Sequence, residues 1–185
     1  MAEEQSLPQI LRTKFPGAIL DSLGADEIVI AREAMLDVFR ALKEDPRLAF
    51  TFLVDLTAVD YWKRKEPRFE VVYHLGSFTT SRRLRVKIPI PEQDPTVESL
   101  TPLWRGADWL EREAWDMYGI RFRGHPNLRR VLLYEQFEGH PLRKDYPVNQ
   151  GQPLVPLREI PGTFVDERSN NKLAQLKHKL AGKQF

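Results

Sequence analysis

Apolar residues recur along this chain with two different periods. Leu7, Ile10, Leu11 and Phe15 fall three and four residues apart behind Ser6, and Pro16-Gly17 closes the stretch. That spacing predicts a short helix with one apolar face, N-capped by the serine. Ala18–Leu23 and Glu27–Ala31 are short strand-like runs around Gly24-Ala25-Asp26, which predicts a hairpin. Met35, Val38, Phe39 and Leu42 form a second helical stripe that ends before Asp45-Pro46.

The period then changes to two. Leu48–Asp60 is rich in Phe, Val and Thr, Phe69–Leu75 comes after the polar loop KRKEPR, and Arg83–Ile90 alternates cleanly. In the last run Leu84, Val86, Ile88 and Ile90 face one way, and Arg83, Arg85 and Lys87 face the other. This is the pattern of a half-buried strand with a basic solvent face. A helical region is expected from Asp94-Pro95 or Thr96, interrupted near Gly106, with a firm helix over Ala107–Tyr118. Gly119 suits the left-handed residue after that helix, with Ile120 folding back on it.

Beyond Gly119 regular structure is expected to thin out. Pro141, Pro147, Pro153, Pro156 and Pro161 punctuate the C-terminal part, and KLAQLKHKL allows a short basic helix near residues 170–181. The element order predicts an α+β domain over residues 1–138, a mixed or antiparallel sheet with helices on one face. An extended, Pro-rich tail over residues 139–185 is expected to make few contacts with that core. Leu142, Leu154, Val155, Leu157 and Phe164 are too scattered to close a core of their own.

Composition narrows the chemistry. The 185 residues are 42% hydrophobic and 29% charged, with net charge +2, as expected of a globular domain that is not cationic throughout. There is no cysteine, which excludes disulfides, thiolate metal sites and cysteine nucleophiles. The acidic N-terminus MAEEQSLPQI lacks an apolar run, and no stretch is long enough to span a bilayer, so a soluble chain made in the cytosol is expected. Neither GxGxxG nor GxxxxGK[ST] occurs. The basic face at Arg83, Arg85 and Lys87 raises nucleic-acid binding as an alternative. Low net charge and the lack of interleaved aromatics count against it.

Two local patterns hold the remaining polar residues. In WLEREAWDMYG, Asp108, Arg112 and Asp116 share the helix face opposite Leu110, Ala114, Met117 and Tyr118, and are expected as surface ion pairs. Glu111 and Glu113 flank the apolar stripe about 200° apart, so they cannot straddle one scissile bond. Glu113 is expected to be buried at the stripe edge against Arg129, Arg130 or Arg143, with Glu111 the less important of the two. Gly-His-Pro occurs at 124–126 and again at 139–141. Each glycine permits a turn and each proline stiffens the segment after it. Neither His125 nor His140 has the companions of a metal or catalytic motif. Between residues 121 and 147 six Lys/Arg face three Asp/Glu, the profile of a stiff basic strap that lies on a partner.

These residues resemble a known family. Glu111, Arg112, Glu113, Asp116, Met117, Tyr118, His125, Arg129, Val131 and Leu132 meet the signature of the C subunit of respiratory complex I, the NADH–quinone oxidoreductase. EGHPLRKDYP, with Gly139, His140, Pro141, Leu142, Arg143, Lys144, Asp145, Tyr146 and Pro147, is the family's other typical stretch. The resemblance implies a peripheral-arm component on the cytoplasmic side of the bacterial inner membrane. It implies docking on the D subunit of the complex, beside the B subunit. It also implies that this chain binds no cofactor and has no catalytic residue, with FMN, iron–sulfur clusters and quinone held by other subunits. Residues 139–147 would then be the docking strap, its Arg143 and Lys144 meeting acidic groups of the D subunit. A homologous component of a membrane-bound hydrogenase or another quinone reductase is the alternative that the resemblance leaves open.

Overall fold

The computed structural model describes residues 7–24 and 26–155. The elements run α1 (Leu7–Lys14), β1 (Ile19–Ser22), β2 (Glu27–Ile30), a 3-10 turn (Arg32–Ala34), α2 (Met35–Glu44), β3 (Phe52–Asp60), β4 (Phe69–Ser77), β5 (Arg82–Ile90), β6 (Thr96–Glu98), α3 (Ala107–Tyr118) and β7 (Arg121–Arg123). The main sheet has the order β1-β2-β5-β4-β3. It is mixed: β2 runs parallel to β5 and every other neighbour is antiparallel. The α+β architecture read from the periodicity is therefore the observed one.

The alternation along β5 explains how the sheet is sided. Leu84, Val86, Ile88 and Ile90 are buried with Leu53, Leu75, Tyr73 and Ile28. Val38, Phe39 and Leu42 of α2 join that layer, and the Phe39 and Tyr73 rings sit 4.8 Å apart. The opposite sheet face carries Arg83 and Arg85 into solvent.

One expected helix start is a strand. Thr96–Glu98 pairs in parallel with Arg121–Arg123, and the Arg121 N–H donates to the Pro95 carbonyl at 2.8 Å. The partner lies beyond α3, so local pattern holds no hint of it, and the thinning of structure expected after Gly119 is delayed by one strand. Residues 101–103 and 105–106 are turns, and between them the Trp104 indole donates to the Thr51 carbonyl at 3.0 Å.

The C-terminal boundary also differs. Residues up to Pro153 form one compact unit with the domain, and a second unit begins at Leu154. The chain therefore does not leave its own core at Gly139. The expected helix near residues 170–181, with Leu157 and Phe164, lies outside the described residues, as do the Ser6 cap and Ala25 of the first hairpin.

Candidate docking site on a helix capped by its own strap

α3 ends at Gly119, whose φ of 76° is the left-handed conformation that glycine adopts without penalty. A helix end leaves four carbonyls unpaired, and here each has a donor. Trp115 takes the Gly119 N–H at 2.8 Å, and Asp116 takes His140 Nδ1 at 2.9 Å. Met117 takes the Leu142 N–H at 3.1 Å, and Tyr118 takes Arg143 Nε at 2.5 Å. The second Gly-His-Pro thus places a histidine, a backbone amide and an arginine on three successive carbonyls. Gly119 must be bare for this, since a Cβ there would stand 2.6 Å from His140 Cδ2 and 2.7 Å from an Arg143 nitrogen. Burial, with Arg143 and Arg130 nearby, holds the His140 pKa below its usual value, so the ring sits neutral with its proton on Nδ1.

The first Gly-His-Pro serves the other end of the same helix. His125 Nδ1 accepts the Asn127 N–H at 3.0 Å, which leaves Nε2 as the donor. That nitrogen lies 3.2 Å from the Asp108 carbonyl and also 3.2 Å from Asp108 Oδ1. The carbonyl takes the hydrogen bond, because Oδ1 is poorly aligned and has no hydrogen-bond partner among the described residues.

The polar residues of α3 are arranged differently from the expectation. Asp116 is buried: Oδ1 binds Arg130 at 2.6 Å, and Oδ2 accepts the successive N–H groups of Val131, Leu132 and Leu133 at 3.1, 3.0 and 3.0 Å. Burial works to raise its pKa, but these four donors outweigh burial and hold the carboxyl below the usual range. Arg112 is also buried and donates to the carbonyls of Arg129 and Arg130 while lying over the Trp109 ring. These are not surface pairs. They turn the 129–133 backbone around the helix.

Glu111 and Glu113 exchange the roles expected for them. Glu113 is exposed. Glu111 is 0% exposed and accepts from Ser99 Oγ at 2.7 Å and from the Leu100 N–H at 2.6 Å. No cation pairs with it among the described residues, and burial pushes its pKa up to about 7. The wheel angles hold, but α3 is wrapped on two sides by segments distant in sequence. Its apolar stripe is therefore only part of its buried surface.

The strap continues into a buried charge cluster that sequence reasoning did not find. The Lys144 N–H donates to Asp60 Oδ2 at 2.8 Å, and Asp145 makes two bonds to Arg68, at 2.7 and 3.1 Å. Arg68 is 2% exposed and also binds Asp60 twice and Glu92 once. Tyr146 packs on Gly139, where a Cβ would lie 2.7 Å from the ring, and its hydroxyl donates to the Glu138 carbonyl. Pro141 and Pro147 flank these contacts and keep the intervening turn stiff. Large apolar residues are left outside as well: Trp109 and Leu132 are 63% and 62% exposed, and Leu142 is 46% exposed.

The basic face of β5 is largely neutralised. Glu27 bridges Arg85 and Lys87, which leaves no continuous cationic row for a phosphate backbone. Among the described residues no three His, Cys, Asp or Glu side chains converge as a metal site would need, and no helix is long and apolar enough to cross a membrane.

The geometry defines an α+β domain whose C-terminal segment is a strap clamped on a signature-bearing helix. The chain belongs to the family of the respiratory-chain NADH dehydrogenase 30 Kd subunit, whose model matches residues 28–152. It is 52% identical over 161 residues to the C subunit of the NADH-quinone oxidoreductase of Roseiflexus sp., covering 85% of this chain and 88% of that one. The C subunit from Citrifermentans bemidjiense is 45% identical over 161 residues, 85% of this chain and 98% of that one. Among solved structures, a trypsin-resistant fragment of Nqo5 superposes with a TM-score of 0.51 at 35% identity, over 58% of this chain and 87% of the fragment. A chain of the membrane-bound sulfane sulfur reductase, an archaeal respiratory membrane complex, shares the fold with a TM-score of 0.61 at 23% identity, over 77% of this chain and 84% of that one.

Proposed function

We propose that this chain is a docking subunit in the peripheral arm of a proton-translocating NADH–quinone oxidoreductase, held at the cytoplasmic face of the membrane and seated on the D subunit beside the B subunit. In this reading it binds no cofactor and supplies no catalytic group. FMN, the iron–sulfur clusters and quinone belong to other subunits. The similarity to chains named as the C subunit of NADH-quinone oxidoreductase supports it.

The observation that carries the reading is how the strap divides its groups. His140, Arg143, Asp145 and the Lys144 N–H go to the chain's own helix and to Asp60 and Arg68, while Leu142 of the strap stays exposed beside Trp109 of α3 and Leu132. Exposed large apolar residues held on a rigid frame are what a protein partner buries with little loss of entropy. Arg143 contributes to docking by holding that frame, whereas Lys144 gives its backbone N–H to the frame and keeps its exposed ammonium for an acidic group of the partner.

The test is co-expression with the D subunit. Trp109→Asp/Leu132→Asp/Leu142→Asp should lose co-purification while the melting curve of the isolated chain stays near wild type. A triple variant that co-purifies as well as wild type overturns this reading.

A further inference from the structure

The strap lies at one end of β3 and β4, where Asp60 pairs with Phe69. The other end of the same two nine-residue strands is ~26 Å away at the usual rise per residue. There Gly76 of β4 sits opposite Phe52 on β3 and opposite Arg83 on β5, so one row of the solvent face reads Phe52, Gly76, Arg83. Gly76 is where the row becomes a hollow. A Cβ on it would lie 3.3 Å from Val54 Cγ2 and 3.7 Å from Phe52 Cδ1. Phe78, in the turn after β4, lies against Phe52 with ring centroids 5.6 Å apart and is itself 79% exposed.

Two hollows, of about 270 and 550 Å³, meet at Arg83. The smaller is walled by Phe52, Val54 and Phe78, and the larger by Leu23 and His74. Leu23, Phe52 and Val54 are exposed, like Phe78. Arg85 is tied to Glu27, but the side chains of Arg82 and Arg83 have no carboxylate or carbonyl partner among the described residues. Asp26 borders the larger hollow without an ion pair among the described residues, and Asp55 turns one oxygen to the Leu56 N–H. A packed aromatic pair beside unpaired arginines has the composition of an interface centre and not of a solvated rim.

We propose that this end of the sheet is a second docking surface. It takes a segment of a partner protein that seats an apolar side chain against Phe52, Val54 and Phe78 and places an Asp or Glu carboxylate on Arg82 and Arg83. Charge selects the occupant. A second copy of this chain, related by a two-fold through the patch, would set the arginines against themselves. A nucleic acid would need a row of free cations, and Glu27 has taken Arg85 and Lys87 out of that row. The proposal rests on the reading that the chain works inside an assembly. It adds that the chain bridges two neighbours, one at each end of the sheet.

The test uses the full chain in its assembled, membrane-bound complex. Phe78→p-benzoylphenylalanine keeps an aromatic side chain at an exposed position, and the cross-linked partner is mapped by mass spectrometry after irradiation. The expected result is an adduct with a protein of the complex other than the D subunit, within about four residues of an Asp or Glu; an adduct with the D subunit overturns the bridging of two neighbours. Adding Arg83→Glu should reduce its yield at least ~5-fold, with the melting curve of the isolated chain unchanged. The absence of an adduct overturns the proposal, as does an adduct with lipid, with nucleic acid or with a second copy of this chain. So does an adduct with a segment lacking carboxylates, or one that Arg83→Glu leaves undiminished. Co-purification with the D subunit, scored on the same preparations, reports on the strap-end reading separately, since neither substitution touches α3 or the strap.

Discussion

The backbone N–H of Lys144 donates to the buried carboxylate of Asp60 at 2.8 Å, across 84 residues of chain. The same carboxylate binds Arg68, which in turn holds Asp145. The strap is thus fastened to β3 by a charge cluster and to α3 by the helix-end carbonyls. Truncation after Glu138 would expose all of these groups together. It should lower the urea midpoint of the isolated chain markedly instead of leaving the fold intact. A truncated chain that melts like wild type would show that the strap is not part of the core.

Asp60→Ala removes two of the bonds that neutralise Arg68 and leaves a guanidinium 2% exposed with only Glu92 and Asp145. Loss of one partner from a buried pair costs about 3–5 kcal/mol. Equilibrium denaturation should show a loss of that size, and Asp60→Asn a smaller one, because the amide can still accept the Lys144 N–H.

Asp116 and Glu113 provide a paired test on one helix. Asp116→Ala strips partners from three backbone amides and from Arg130, so a loss of about 3 kcal/mol or more is expected. Glu113→Ala, at an exposed position, should stay within about 0.5 kcal/mol. Comparable losses for the two would contradict the burial of Asp116.

Glu111 makes a pH-dependent contribution with a defined sign. Its folded pKa of about 7 lies above the ordinary glutamate value of 4.5. The folded state therefore holds the extra proton between these values, and this group's contribution falls as pH rises through that window. Above it the ionised carboxylate stays buried without a cation. Glu111→Gln keeps an acceptor for the Leu100 N–H and a polar partner for Ser99 Oγ, without a charge. It should match wild type near pH 4.5 and exceed it by about 3 kcal/mol at pH 8, at 1.36 kcal/mol per unit. Parallel stability–pH curves for the two proteins would refute the buried, unpaired carboxyl. Comparing variant with wild type also cancels His140, whose lowered pKa acts in the opposite direction.

Gly119→Ala should cost more than Gly124→Ala. Both glycines have positive φ, near 77°, but a Cβ at Gly124 meets nothing within 4 Å, whereas at Gly119 it strikes His140 and Arg143. Gly124→Ala should lose only the left-handed penalty of about 1–2 kcal/mol. Gly119→Ala should lose that and also free the strap, seen as faster proteolysis after residue 138.

Local pattern determined most of the framework of this protein. The β5 alternation sets which sheet face is buried, the stripes of α1 and α2 place those helices on it, and Gly119 marks the end of α3. Each of these depends on residues a few positions apart, where period and backbone sterics act directly. The signature residues also identified the family before any contact was known. Tertiary structure alone decided what the polar residues do. Thr96–Glu98 is a strand only because Arg121–Arg123 returns beside it. Asp116 and Arg112 are buried only because the 129–133 backbone wraps over them, and Glu111, not Glu113, faces the Ser99 loop. The strap lies on its own chain because residues 140–143 supply donors to three α3 carbonyls and Lys144 adds its N–H to an Asp60 already held by Arg68. Hydrogen bonds and ion pairs are directional and join residues regardless of separation along the chain. A helical wheel records which way a side chain points, whereas burial depends on what the rest of the chain brings against it.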